Sequence, residues 1–171
     1  SQILSPQRKG ESGITNINNI IQQIISGNKK PIYERKEDNV KFYQGDKVIQ
    51  TSNNYDLMVM NGDVGKILSK KGNEFVILIN NKEINYSLKD IYQVELAYAI
   101  SIHKSQGSEY SHTILPISSE HEFMLSRNLI YTAVTRGKKK VILIGEFKAF
   151  EKGINDYIMD FRYTNLKLLI N

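Results

Sequence analysis

Residues 96–117 read LAYAISIHKSQGSEYSHTILPI and residues 126–145 read SRNLIYTAVTRGKKKVILIG, and these two segments decide the fold. Residues 96–102 and 113–117 have the length and apolar content of β-strands. Residues 141–144 consist only of Val, Ile and Leu, as in a strand that is buried on both faces. The sequence therefore predicts three strands in this half of the chain.

A helix is predicted between the second and third of these strands. Apolar residues recur at helical spacing within residues 126–136, and Ser126 is a suitable N-cap. Strands that alternate with a helix predict a parallel sheet, whose ligands bind beyond the carboxyl ends of the strands. Residues 103–109 follow the first strand and carry many polar groups, so we expect a binding site there.

These segments also resemble two motifs of a known enzyme class. AYAISIHKSQGSEYSHTI, residues 97–114, resembles motif V of superfamily 1 helicases, and YTAVTRGKKKVILIG, residues 131–145, resembles motif VI. The form HKSQGSE, with GDKVIQTSNNYDLMVMNGDVG upstream, is similar to the RecD-like branch, which comprises the exodeoxyribonuclease V alpha subunit and its stand-alone relatives. The resemblance covers nearly the whole chain. It implies an α/β domain of the RecA-like (P-loop NTPase) type with a UvrD-like helicase C-terminal domain.

The composition of the 171 residues fits one ordinary intracellular domain. There is no cysteine, which excludes disulfides and thiolate metal sites. Neither a signal peptide nor an apolar run of membrane-spanning length is present, so we expect a cytoplasmic protein without a membrane partner. The net charge of +5 favours a polyanionic partner, although lysine-rich surfaces are common in any case.

A small all-β unit is predicted in the middle of the chain. Short apolar runs separated by Gly- and Asn-rich turns are typical of a small barrel, and the resemblance implies that it is SH3-like. We expect residues 45–94 to form this inserted barrel (domain 2B), and residues 1–44 and 95–171 to form the RecA-like domain (domain 2A). The predicted barrel strands are residues 47–51, 57–60, 64–69, 75–79 and 84–88.

The flanks of the barrel are expected to complete the RecA-like domain. Residues 2–6 read as a strand, 14–25 as an amphipathic helix capped by Ser12 or Thr15, and 29–43 as an irregular charged connector. Residues 146–171 are predicted to be helical, with an apolar stripe that extends to Phe161. FRYTNLKLL resembles the end of RecD-like chains, so we expect the natural C-terminus to be included.

Five residues are expected to face a nucleotide. The resemblance implies that Arg136 is an arginine finger that reaches the γ-phosphate of ATP, and that Arg8 contacts the terminal phosphate. It also places Gln106, Gly107 and Glu109 beside the nucleotide, with Glu109 near the ribose. The alternatives are a helix C-terminal arginine that meets the helix dipole, for Arg136, and a surface arginine in a loop, for Arg8.

A second set of residues is expected to contact single-stranded DNA. Amides and a tyrosine ring in the barrel suit phosphates and stacked bases, and a cluster of hydroxyls and cations follows the first motif V strand. Asn-rich turns need no ligand, however, and a lone histidine is often structural. The histidines lack metal-ligand spacing, so we assign no metal site. The expected DNA-binding residues are Gln50, Asn53, Asn54, Tyr55, Ser101, His103, Lys104 and Ser105.

No Walker A sequence occurs in the 171 residues, since neither Gly65-Lys66 nor Gly137-Lys138 has the upstream glycine or the following Ser/Thr. We therefore expect the C-terminal half of an ATP-dependent DNA helicase, inactive alone, whose ATP and Mg²⁺ sites are completed by an N-terminal RecA-like domain of the same protein. The resemblance implies 5′-to-3′ movement in DNA recombination and repair, and leaves other exodeoxyribonuclease subunits open as partners. The alternatives are a stand-alone single-stranded nucleic-acid-binding module or the helicase segment of a conjugative relaxase.

Overall fold

The computed structural model describes residues 1–156, and this range contains eleven β-strands and three α-helices. Short 3₁₀ turns lie at Asp90–Gln93, His103–Ser105 and Ser119–His121. In chain order the elements are β1 (Gln2–Ser5), α1 (Ile14–Ser26), β2 (Tyr33–Arg35), β3 (Val40–Phe42), β4 (Lys47–Gln50), β5 (Val64–Lys71), β6 (Glu74–Ile79), β7 (Lys82–Ser87), β8 (Val94–Leu96), β9 (Ala99–Ser101), β10 (Tyr110–Ile117), α2 (Arg127–Val134), β11 (Gly137–Gly145) and α3 (Phe147–Asn155).

Four strands form a parallel sheet in the order β11-β10-β1-β9. Its core contains Leu4, Ile100 and Leu115 from the strands, and α2 adds Ile130 and Ala133. The parallel sheet that the sequence predicted is therefore present. The start of the chain pairs with strands about a hundred residues later, so the intervening residues form an insertion into one sheet.

The inserted residues form an antiparallel sheet in the order β7-β6-β5-β4-β8. The hairpin β2–β3 packs against this sheet, because Phe42 is buried in the same apolar cluster and the Tyr33 ring meets the Phe75 ring edge-on at 5.2 Å. The expectation of an irregular connector at residues 29–43 is therefore wrong. The charged residues of this segment concealed a short hairpin whose apolar side chains point into the barrel core.

The apolar run at residues 96–102 is not one strand, as the sequence suggested. Val94–Leu96 pairs antiparallel with β4, whereas Ala99–Ser101 pairs parallel with β1. Two buried or half-buried residues, Ala97 and Tyr98, join the two sheets, and the Ala97 amide donates to the Lys47 carbonyl at 2.8 Å. Both strands need apolar residues, so hydrophobic periodicity cannot reveal the change of sheet.

Two further strand predictions need correction. Residues 57–60 form a turn held by an isolated bridge between Asn54 and Val59, and they do not form a strand. The predicted strand at residues 141–144 exists within β11, but it lies at the edge of the sheet, with Leu143 and Ile144 44% and 56% exposed. Within residues 1–156 β11 pairs with β10 alone, so apolar composition did not mean burial on both faces.

Helices α1 and α2 agree with the predicted positions, whereas α3 ends at Asn155, with Asp156 extended, and does not run on from residue 146 as predicted. Helix α1 buries an unexpected face. Its polar residues Asn18 and Gln22 are buried, while Ile20 and Ile24 are exposed. The Asn18 amide group donates to the Leu96 and Ala99 carbonyls and accepts from the Ala99 amide, so polar groups attach α1 to the turn between the two sheets. The Ser126 cap of α2 is confirmed, whereas Gly13 caps α1 without a side-chain bond. The predicted tail beyond residue 156 lies outside the described residues.

Candidate nucleotide and nucleic-acid sites

The carboxyl edge of the parallel sheet carries a cluster of charged and hydroxyl groups, here called the carboxyl-edge cluster: Arg8, Glu95, Ser101 and Lys104. The Glu95 carboxylate accepts from Arg8 Nη2 at 2.8 Å through one oxygen and from Lys104 Nζ at 3.3 Å through the other. Ser101 Oγ accepts from the Lys104 amide at 3.1 Å and so starts the 3₁₀ turn that carries Lys104. Two cations are thereby held at one point of the sheet edge.

A cavity of about 400 Å³ adjoins this cluster. Arg8, Glu95 and Lys104 line it together with apolar groups from both sheets, including Ile49 and Ile100. The site is therefore concave, and both charged and apolar side chains line it.

The opposite, amino edge of the sheet holds Arg136 and Glu109. Arg136 directly precedes β11 and Glu109 directly precedes β10, and the register pairs Tyr110 with Gly137. The Arg136 guanidinium donates through Nε to the Thr132 carbonyl at 3.0 Å. It also donates through its terminal nitrogens to the Ser108 carbonyl at 3.3 Å and Thr135 Oγ1 at 3.2 Å.

Charge beside Arg136 is balanced by a neighbouring pair. Lys138 Nζ lies 2.7 Å from the Glu109 carboxylate, and the hydrogen bond from Lys138 holds the pKa of that carboxyl below its usual range. Within residues 1–156 no carboxylate forms an ion pair with Arg136. Its positive charge is therefore positioned by neutral acceptors and is not neutralised by them.

Arg8 and Arg136 lie at opposite edges of the sheet. Ile3 pairs with Ile114, so the end of β1 lies about six residues beyond Tyr110, or roughly 20 Å at 3.3 Å per residue. Arg8 follows that end, whereas Arg136 precedes β11 at the level of Tyr110. This placement does not support the expectation that both arginines contact the same phosphate.

Residues 102–109 connect the two edges. Ser105 is buried and its hydroxyl donates to the Ile102 carbonyl at 2.6 Å, so it stabilises the turn and cannot contact DNA directly. His103 and Gln106 are exposed. Gly107 has φ +80°, and no atom lies within 4 Å of the position that a Cβ would take, so its backbone is open to a ligand.

The barrel residues expected at DNA divide into buried and exposed ones. Gln50 is 1% exposed, and its amide binds the Ser52 carbonyl and Gln93 and accepts from the Tyr86 hydroxyl at 3.0 Å. Direct DNA contact by Gln50 is therefore not supported. The Asn54 side chain is likewise occupied, since it donates to Asp90 and Gln93 and accepts from the Leu57 amide.

Asn53 and Tyr55 remain accessible in the same turn. Tyr55 is 73% exposed, and Asn53 Oδ1 accepts from the Asn61 amide at 2.9 Å. Met58, which the sequence reading missed, is 82% exposed and has a φ of +53°, a conformation that non-glycine residues rarely adopt. The turn therefore presents an aromatic ring and an apolar tip to solvent.

Glu95 was also missed, because a single acidic residue in a short strand carries no motif. Among residues 1–156 no group of three His, Cys, Asp or Glu could hold a metal ion. In the same range, no helix has the length and apolar content needed to cross a membrane.

Comparisons with known proteins now bear on the whole arrangement. Residues 96–144 match the UvrD-like helicase C-terminal domain, and residues 17–83 match the SH3 domain of ATP-dependent RecD-like DNA helicases. The ATP-dependent RecD2 DNA helicase of Deinococcus radiodurans is 29% identical over 150 residues, which cover 88% of this chain and 21% of that protein. The RecBCD enzyme subunit RecD of Haemophilus influenzae is 29% identical over 157 residues, which cover 92% of this chain and 23% of that protein. The chain thus spans less than a quarter of the length of these relatives.

Solved structures show that the fold is shared with helicases. A structure of Pif1 helicases at forked double-stranded DNA superposes with a TM-score of 0.62 at 18% identity, covering 88% of this chain and 42% of that one. Unliganded Pif1 from Bacteroides sp. gives a TM-score of 0.57 at 19% identity, covering 91% and 43%. The predicted fold class, a RecA-like parallel sheet with an SH3-like unit, is confirmed. The chain carries a UvrD-like helicase C-terminal domain together with the SH3 domain of RecD-like DNA helicases.

Proposed function

We propose that the chain is the C-terminal half of an ATP-dependent DNA helicase. It supplies an arginine finger to an ATP site that an N-terminal RecA-like domain of the same protein completes, and it supplies part of a track for single-stranded DNA. The observation that carries the proposal is the Arg136 guanidinium, which neutral acceptors hold in place and which forms no ion pair with a carboxylate of residues 1–156.

The chemistry of Arg136 fits a finger. Three hydrogen bonds to neutral acceptors fix its planar guanidinium, and none of them pairs its charge with a carboxylate. A cation placed in this way stabilises the charge on a phosphoryl group in transfer, and such fingers contribute about 10³ to 10⁵ in rate. Gly107 and Glu109 lie on the segment that reaches the same edge, and they are proposed to contact the phosphates and the ribose.

The residues present fit a nucleotide better than they fit a metal. Arg136 offers a cation that forms no ion pair within residues 1–156, and Gly107 offers an open backbone, whereas the described residues contain no metal-ligating cluster. ATP supplies the phosphoryl group whose transfer drives movement. The carboxylates that hold Mg²⁺ are proposed to lie on the N-terminal domain.

The carboxyl-edge cluster is proposed to hold the DNA backbone. Arg8 and Lys104 converge on one point, and Ser101 and His103 flank it, which suits phosphate contacts that carry no base code. We therefore assign Arg8 to the DNA track and not to the ATP site. In the barrel, Asn53 and Tyr55 are the accessible candidates. A solved structure of Bacteroides Pif1 contains both ADP-AlF₃ and single-stranded DNA, and it shares this fold at 16% identity with a TM-score of 0.57.

The remaining parts of the proposal rest on the relatives. The name of the Deinococcus relative supports DNA unwinding, and the name of the Haemophilus relative supports other exodeoxyribonuclease subunits as partners where the protein is of the RecBCD kind. Movement in the 5′-to-3′ direction and a place in recombination and repair are proposed from the family resemblance of the motifs. For the domain division, the sequence predicts residues 1–44 and 95–171 as the RecA-like domain and 45–94 as the barrel. The packing of β2–β3 supports moving the start of the barrel unit to about residue 32.

The test is Arg136→Ala in the full-length protein, assayed for ATP hydrolysis at saturating single-stranded DNA. Turnover should fall by about a thousandfold or more, while the affinity for DNA stays nearly unchanged, because the finger acts on the phosphoryl group alone. Arg136→Lys should also lose ATP turnover, because an ammonium group lacks the planar array of donors of a guanidinium.

Lys139→Ala is the matched control, since it removes an exposed cation from the strand that follows Arg136. The 171-residue chain alone, which has no Walker A sequence, should not hydrolyse ATP. Near-normal turnover of Arg136→Ala would refute the finger assignment, and turnover by the isolated chain would refute the half-motor proposal.

A further inference from the structure

Glu95 occupies the point at which Arg8 and Lys104 converge. One carboxylate oxygen accepts from Arg8 at 2.8 Å and the other accepts from Lys104 at 3.3 Å. A phosphodiester also presents two oxygens that share one negative charge. The carboxylate therefore meets the two cations in the manner in which a backbone phosphate would meet them.

We propose that Glu95 is an internal substitute for a DNA phosphate: it holds Arg8 and Lys104 in place in the free protein, and a backbone phosphate displaces it. This inference rests on the proposed DNA track, and it assigns Glu95 as a positioning residue that lowers the affinity of that track. Within the cluster, Glu95 is the only group with a negative charge.

The placement of Glu95 suits displacement. Its backbone is fixed in β8, where it pairs with Ile49 of β4, so the carboxylate is always close at hand. Its side chain is 36% exposed, and Arg8 is 70% exposed, so the carboxylate can turn to solvent without leaving a buried charge.

The carboxylate also stays ionised. Burial raises the pKa of the Glu95 carboxyl, but the hydrogen bond from Arg8 and the charges of Lys104 and Arg8 outweigh burial, and the net pKa is lowered. A permanent negative charge is therefore available to return each time a phosphate leaves.

Such a returning ligand fits a track that must release DNA repeatedly. Two unopposed cations would hold a phosphate more tightly and release it more slowly. With Glu95 present, each phosphate that leaves is replaced by a carboxylate, so the cations are never exposed without a partner. Glu95 therefore lowers the affinity of the track for DNA and speeds the release of each phosphate.

The test is Glu95→Gln in the 171-residue chain, with binding of a labelled oligo(dT) measured by fluorescence anisotropy at several salt concentrations. Partly exposed ion pairs are weak, so we expect the Kd to fall about fivefold. The log-log salt slope should steepen by up to about 0.7, because a cluster with one more net positive charge neutralises more of the phosphate charge. A merely structural role of Glu95 would not steepen this slope.

Glu83→Gln is the matched control, because Glu83 is an exposed glutamate that forms no ion pair within residues 1–156. It removes the same charge and should leave the Kd unchanged. Glu95→Asp should restore weak binding, and circular dichroism should show the same fold for each variant.

The tighter DNA binding of Glu95→Gln should also depend on Arg8 and Lys104. In an Arg8→Gln/Lys104→Gln background, adding Glu95→Gln should no longer tighten binding, since groups that interact are non-additive. If Glu95→Gln binds no more tightly than Glu83→Gln, the phosphate-substitute proposal is overturned. If Arg8→Gln/Lys104→Gln alone leaves the Kd unchanged, the DNA track itself is wrong, which is a separate failure.

Discussion

Replacing Arg35 by methionine should destabilise the barrel strongly. Arg35 lies in β2 and is 5% exposed. Its guanidinium donates to the Ile91 and Val94 carbonyls at 3.0 and 3.1 Å and to the Asp38 carboxylate at distances down to 2.7 Å. It therefore joins the hairpin at the start of the barrel to the turn and strand that end it.

The cost can be worked from these contacts. Each of the two buried carbonyls that loses its donor lowers the free energy of unfolding by about 1 kcal/mol. This is the low end of the usual range, and we choose it because the Ile91 carbonyl keeps a second donor, the Val94 amide. The guanidinium also lies 5.5 and 5.6 Å from the ring centres of Phe42 and Tyr92, contacts worth about 0.5 kcal/mol each. The sum is about 3 kcal/mol, a large share of the roughly 5–15 kcal/mol typical of a native protein.

The assay is urea unfolding followed by far-ultraviolet circular dichroism. With a denaturant slope of about 2 kcal/mol/M, Arg35→Met should lower the midpoint by about 1.5 M. Asp38→Asn is the control: Asp38 is 46% exposed and can be rehydrated, so its loss should cost about 1 kcal/mol or less. A midpoint for Arg35→Met within about 0.3 M of the wild type would refute the proposed role of Arg35 in joining the start of the barrel to its end.

The same pair predicts a dependence on pH. The hydrogen bond from Arg35 lowers the pKa of the Asp38 carboxyl below its usual 3.8. A folded-state pKa below the unfolded value contributes stability above pH 3.8, and that stability is lost as the pH falls through the folded value. The stability difference between wild type and Asp38→Asn should therefore shrink as the pH falls below about 4.

Two further changes test buried contacts. Tyr86→Phe removes the hydroxyl that donates to Gln50 at 3.0 Å and should cost about 1–2 kcal/mol in urea unfolding without changing the Kd for oligo(dT); a weaker Kd would restore Gln50 as a DNA contact. Ser126→Ala removes the cap that accepts from the Leu129 amide of α2 and should cost about 1 kcal/mol, whereas Ser126→Asp should not, and equal unfolding of both variants would contradict the capping role.

The sequence predicted the elements with strong local signals. The parallel sheet follows from apolar runs separated by a helix, and the Ser126 cap from a local rule. Burial was harder to predict, because it depends on neighbours that are distant in sequence. Residues 141–144 of β11 are as apolar as a central strand, but β11 lies at an edge. Helix α1 exposes Ile20, Ile24 and Ile25, while Asn18 and Gln22 are buried and find hydrogen-bond partners inside.

For the candidate site, too, the sequence predicted the residues that have a local motif and missed the contacts between residues that are distant along the chain. The motifs singled out Arg136, Lys104 and Glu109, of which Glu109 is exposed and the other two are half-buried. They could not show that Arg8 shares an edge with Lys104 and not with Arg136, since that follows from the order and register of the strands. Glu95 had no local signal, because its role depends on two cations that lie 87 and 9 residues away along the chain.

The change of sheet at Ala97 and Tyr98 has a mechanical consequence. These two residues leave no slack: Ala97 donates to β4, the Tyr98 hydroxyl donates to Asp46 at 2.9 Å, and Gln2 of β1 donates to both of their carbonyls. The connection between the barrel and the parallel sheet is therefore not a flexible linker. A rotation of the parallel sheet should therefore rotate the barrel with it as one rigid body. A displacement of a few ångströms at the sheet then becomes a larger displacement at the Tyr55–Met58 turn, which lies farther from the axis of rotation.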